Sequence, residues 1–174
     1  MAARPDPKEL IARLGLVPLP VEGGLFRQTY LADETLAATA LPARYGRPKP
    51  LSTAIYYLLT AEPDSFSALH RLPTEEVYHF YLGDPVEMLL LHPDGRSEEV
   101  RLGPDVLGGE RVQLVVPRGV WQGSRLMAGG AFALLGTTMA PGFDPADYEG
   151  GDRQRLIDAY PGAAVLIHAL TRVP

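Results

Sequence analysis

A chain of 174 residues with 46% apolar and 21% charged side chains is large enough, and ordinary enough in make-up, for one globular domain with a full core. Its net charge of −5 and its scattered basic residues argue against a nucleic-acid or anionic-membrane surface. The absence of cysteine excludes disulfides, thiolate metal sites and a cysteine nucleophile.

No apolar run, such as 54–59 or 88–91, approaches the roughly 20 residues that a membrane span needs. The opening MAARPDPKEL lacks the apolar core of a signal peptide, so a cytoplasmic protein is expected. The 17 prolines and 18 glycines sit between short apolar runs, which indicates many turns and an all-β body.

In chain order, Asp6-Pro7-Lys8-Glu9 opens a short helix over about 7–15. Asp6 can cap, Pro7 loses nothing at the first helical position, and Glu9 can complete a capping box. Leu10, Ile11 and Leu14 share one face, and Gly15 suits a left-handed end. LFRQTYL at 25–31 and LSTAIYYLLT at 51–60 are rich in β-branched and aromatic residues and predict strands, with a loop or edge segment over 40–50. The run over 64–72 alternates, which places Phe66, Ala68, His70 and Leu72 on one face and Ser67, Leu69 and Arg71 on the other. After Pro73-Thr74 a strand follows over 76–82. The runs 86–92 and 97–102 form a hairpin around Pro93-Asp94-Gly95. Strands are predicted over 112–116, 121–126 and 131–139, then helices over 152–160 and 163–170. Eight or nine short strands with a helix at each end give a sandwich or barrel over about 22–145, within one domain covering 1–174.

The stretch 66–83, FSALHRLPTEEVYHFYLG, concentrates His70, Glu75, Glu76 and His79 as no other part of the chain does. His70, Leu72, Glu76 and Gly83 fall at the spacing of the first cupin motif, and Pro117, Gly119 and Gln122 at that of the second. The sequence therefore resembles the cupin superfamily. EGGLFRQTY, STAIYYLL, LHRLPTEEVYHFYLGDP, VVPRGVWQG and APGFDPADYE look like one subfamily, cupin type 5, which carries a domain-of-unknown-function label. The resemblance spans roughly 6–172. It implies an RmlC-like jelly-roll barrel, a double-stranded β-helix, with its site inside the barrel and a homodimeric assembly.

In metal-binding cupins the two histidines and the Glu of the first motif, with the second-motif His, hold one divalent ion. Here Leu72 and Gln122 stand at two of those positions. Only His70 and Glu76 match by type, and strict alternation puts His79 opposite Glu76. No cofactor is therefore expected; a divalent ion, if bound, would be held by His70, Glu76 and Gln122. The expected partner is a small polar metabolite in a pocket lined by Phe66, His70, Glu76, Tyr78, Gln122, Tyr56 and Trp121. No nucleic acid or membrane partner is expected.

The alternative is an enzyme, either a weakly metal-dependent one or an isomerase or epimerase. In the latter, His70 oriented by Glu76 is the base, and Tyr56, Tyr30 or Tyr78 is the acid, as the resemblance to sugar-nucleotide 3,5-epimerases implies. Glu22 either reaches the pocket or caps its own turn. Arg27 and Arg71 either receive an anionic ligand or lie at the surface, while His92 reads as solvated and His168 as packing.

Overall fold

Two antiparallel sheets face one another around an interior to which both contribute. The structure, a computed structural model, describes residues 4–172. The larger sheet joins β1 (Val17–Pro18), β2 (Leu25–Leu31), β5 (Thr53–Thr60), β12 (Phe132–Met139), β7 (Glu76–Gly83) and β10 (Gln113–Val116), in that spatial order. The second joins β13 (Glu149–Gly150), β6 (Phe66–Arg71), β11 (Trp121–Leu126), β8 (Val86–Leu91) and β9 (Ser97–Leu102). A two-stranded ribbon, β3 (Thr35–Leu36) with β4 (Lys49–Pro50), lies in the segment expected to be loop or edge. The long strands match those predicted, and the architecture is the all-β cupin jelly roll.

Period-two patterning sorts the side chains. Tyr57, Leu59, Tyr78, Met88, Leu90, Leu102, Leu135 and their neighbours form the interior core. Each fully buried aliphatic side chain contributes about 1.5–3 kcal/mol. The outer face of the larger sheet, with Leu58, Phe132 and Leu134, is covered by α1 (Pro7–Leu14) through Leu10, Ile11 and Leu14. Asp6 caps α1 by accepting from the Lys8 amide, and Gly15 ends it at φ 62°. Glu9 does not form the expected capping box; its carboxylate accepts from Arg13 one turn on.

The outer face of the second sheet, with Leu69, Leu89 and Leu91, is covered by α2 (Arg153–Ala159) and α3 (Ala164–Ala169) through Leu156, Leu166 and Ile167. Between β12 and α2, the segment 140–150 folds back along the barrel. Lys49, fully buried, fixes it: Nζ donates to Asp144 at 3.0 Å and to Asp147 at 2.7 Å. Arg71 forks onto Glu149 at 2.6 and 2.8 Å, where β13 pairs with β6.

Candidate functional site

The pairing of β6 with β11 decides which side chains enter the barrel. His70 lies opposite Gln122 but Ser67 lies opposite Ser124, so three steps on β6 match two on β11. This β-bulge turns Ser67 and His70 to the same side, the side of Gln122 and Ser124. Gly123 accommodates it, because a Cβ there would come within 3.0 Å of the Leu69 side chain and 3.1 Å of the Ser67 carbonyl.

That side is the interior, since Gln122 reaches across to the opposite sheet and donates from Nε2 to Glu76 Oε2 at 2.7 Å. His70 donates from Nδ1 to the Ala68 carbonyl at 2.8 Å, because a carbonyl can only accept. Nε2 is left as the ring's free nitrogen. Tyr148, delivered by the segment pinned by Lys49, stacks on His70 with ring centres 5.0 Å apart. It roofs the site.

Glu22 settles the open alternative by reaching inward, where its Oε1 accepts from Ser67 Oγ at 2.8 Å. Tyr57 Oη donates to the Gly23 carbonyl at 3.0 Å beneath the same turn. The turn is held from outside by Arg172, which donates to the carbonyls of Asp64 and Phe66 at 3.0 and 3.3 Å. Val21, next to Glu22, adopts φ 68°, a costly conformation for a β-branched residue.

Burial sets the electrostatics. It raises the Glu76 carboxyl above its ordinary range, against the stabilising effects of His70, Thr137 and Gln122. Burial likewise raises the Tyr57 and Tyr78 phenols well above theirs, with Glu22 and Glu76 nearby adding to the effect. Both phenols stay protonated at neutral pH.

Of the seven expected pocket residues, His70, Glu76, Tyr78 and Gln122 converge in the interior, and the other three do not. Phe66 packs against the outer Leu69 cluster, because the bulge breaks the alternation that placed it beside His70. Trp121 precedes inward Gln122 on a strand and so points outward, under the Arg71 guanidinium at 4.7 Å. Tyr56 precedes inward Tyr57 and packs against the α1 cluster, edge-on to Tyr81. Tyr30 is exposed, so Tyr78 alone of the three candidate acids lies inside.

His79 is on the outer face, within 3.2 Å of Thr138 Oγ1. Arg27 donates to the Leu14 carbonyl at 3.0 Å and so secures α1. His168, expected to pack, is exposed, while His92 is partly buried beside Glu98. The sequence reading did not single out Ser67, Ser124, Tyr57 or Tyr148. Only the inward phase of β5 and the APGFDPADYE motif could have signalled the last two.

The donor set does not fit a resident divalent metal. Among the described residues no three His, Asp or Glu side chains cluster. Leu72 offers no donor atom, and Gln122 could add only its neutral amide oxygen, a weak ligand for such an ion. Two hollows on the outer surface, of about 350 and 340 Å³, lie elsewhere. One is bounded by 60–66 and 125–130, the other by Leu14, Tyr56, Tyr81 and Leu134.

The fold and motif positions belong together in one family. A family model described as the cupin superfamily (DUF985) matches residues 8–150, and the chain belongs to that family. An uncharacterized protein of Saccharomyces cerevisiae is 32% identical over 136 residues, 73% of this chain and 66% of that protein, so the match spans slightly less than two thirds of the relative. A crystal structure from Shewanella oneidensis superposes with a TM-score of 0.85 at 29% identity, covering 98% of this chain and all of that one. A hypothetical protein from Leishmania major gives 0.84 at 29% identity, covering 97% of this chain and 100% of that chain.

Proposed function

We propose that this cupin binds a small polar metabolite inside the barrel, against His70, Glu76 and Gln122. The observation that carries the reading is a pair of orphaned polar atoms. Gln122 Oε1 and Ser124 Oγ are buried on the inward face without any hydrogen-bond partner. Leaving such a group unsatisfied costs about 1–3 kcal/mol, so a bound molecule that satisfies both repays a standing deficit. Entry requires the Tyr148 roof to move aside. A thermal-shift screen of small polar metabolites tests this: a hit should stabilise the native chain and lose its effect in Gln122→Leu. A hit whose effect survives that substitution contradicts the site.

The enzymatic reading is supported by the histidine tautomer. With Nδ1–H fixed on the Ala68 carbonyl, Nε2 can take a proton, and the protonated Tyr78 phenol can return one. An isomerase or epimerase of this kind would exchange a substrate C–H for deuterium from solvent, and His70→Ala should abolish the exchange.

The assembly we propose is a cytoplasmic homodimer. Supporting it, β1 covers only Leu25 and Phe26 of β2, leaving the rest of that edge open where Tyr30 and Leu31 are exposed. Among the described residues no helix is long and apolar enough to cross a membrane. Light scattering on the purified chain measures the dimer directly.

A further inference from the structure

The interior is short of free hydrogen-bond donors, which bears on what it can hold. Four of its donors are committed to the protein itself. The Gln122 amide NH₂ serves Glu76, the Ser67 hydroxyl serves Glu22, the Tyr57 phenol serves the Gly23 carbonyl, and His70 Nδ1–H serves the Ala68 carbonyl. What remains without a partner is chiefly acceptor, apart from the Ser124 hydroxyl and the Tyr78 phenol, which can also donate. Gln122 Oε1 has no partner on a residue only 2% exposed, and Ser124 Oγ has none on a residue 0% exposed. His70 Nε2 and the second oxygens of two carboxylates add to this set.

The charge balance points the same way. Among the described residues no Lys or Arg lies within ion-pairing distance of Glu22 or Glu76. Among the described residues the one fully buried cation, Lys49, is taken by Asp144 and Asp147. Arg71 is taken by Glu149, and Arg172 spends its guanidinium on the backbone carbonyls of Glu22, Asp64 and Phe66, over the Phe66 ring, without pairing with the Glu22 carboxylate.

Resting on the reading of the barrel interior as a ligand site, we propose that it selects a small organic cation with N–H donors, a primary ammonium or a guanidinium, seated between Glu22 and Glu76. Such a group supplies the positive charge that buried Glu76 and half-buried Glu22 lack, and gives donors to Gln122 Oε1 and Ser124 Oγ together. A carboxylate or phosphate ligand would meet two like charges and find four of the interior donors already taken.

Amide NMR titrations of the full chain with ethylammonium chloride, sodium acetate and glycerol at matched ionic strength test the inference. The Gln122 side-chain amide and the Gly150 amide opposite His70 report on the interior. Ethylammonium should move them saturably while acetate and glycerol do not, and Glu22→Gln should weaken ethylammonium at least tenfold. Acetate or glycerol binding there as tightly as ethylammonium overturns cation selection but leaves the metabolite site standing. Interior signals that ignore all three overturn cation selection as well. The comparison of probes uses the unaltered chain, so it decides the matter even if Glu22→Gln fails to fold.

Discussion

Gln122 and Glu76 join the two sheets across the barrel through one 2.7 Å hydrogen bond, and the same amide leaves Oε1 buried without a donor. Gln122 is therefore both a strut and an open valence. Replacing it with Leu removes the unsatisfied oxygen but strips Glu76 of a donor, and these effects oppose each other. The expected change in unfolding free energy is within about 1–3 kcal/mol, measured by denaturant titration. The loss of ligand response should be complete.

Glu76 makes stability depend on pH with a definite sign. Burial raises its folded ionisation above the ordinary value of 4.5, so folding favours the protonated form. That contribution is fully present below the unfolded value and is lost as pH rises through the folded one. Glu76→Gln is uncharged throughout. Its stability relative to the native chain should rise with pH across that window, by about 1.4 kcal/mol per tenfold displacement of the ionisation equilibrium. Urea melts at a series of pH values measure it, and a flat difference between the two proteins would contradict the assignment.

Tyr148 shields His70 by stacking on it. Tyr148→Ala should cost about 1 kcal/mol of stability and expose the imidazole. Modification by diethyl pyrocarbonate, mapped by mass spectrometry to the peptide holding His70, should then speed up severalfold. Rates at exposed His168 serve as the internal reference.

Lys49 holds the segment that delivers Tyr148. Lys49→Met strands Asp147, whose side chain is 8% exposed, and should cost about 3 kcal/mol. Adding Asp147→Leu should recover much of that loss, because the pair is then replaced by apolar contact. Thermal melts of the single and double variants check both steps.

Gly23 must remain a glycine. It sits at φ 102°, and a Cβ there would lie 2.4 Å from the Phe66 carbonyl and 2.1 Å from the Arg172 guanidinium. Gly23→Ala should cost about 3 kcal/mol, through backbone strain and overpacking together, read from the shift in denaturation midpoint.

The strands were legible because their apolar and β-branched runs are short, alternating and bounded by Pro and Gly. His70, Glu76 and Gln122 were legible because motif spacing places them, and Tyr78 because it shares the inward phase of Glu76. Phe66 was misplaced because a bulge adds one residue to β6 without any local mark in FSALHR, and one added residue reverses the phase of everything before it. Trp121 and Tyr56 were assigned by their size and type rather than by phase, although each immediately precedes an inward-facing residue. Tyr148 immediately precedes the two-residue strand β13, in a segment whose position depends on Lys49, about a hundred residues earlier in the chain. Contacts of that range have no local signature.

A crystal structure of the chain soaked with a thermal-shift hit tests the central claim most directly. Density for the molecule within hydrogen-bonding distance of Gln122 Oε1 and Ser124 Oγ, beneath a displaced Tyr148 ring, is the predicted result. Density only in one of the outer hollows, with the interior unchanged and Tyr148 still stacked on His70, would contradict it.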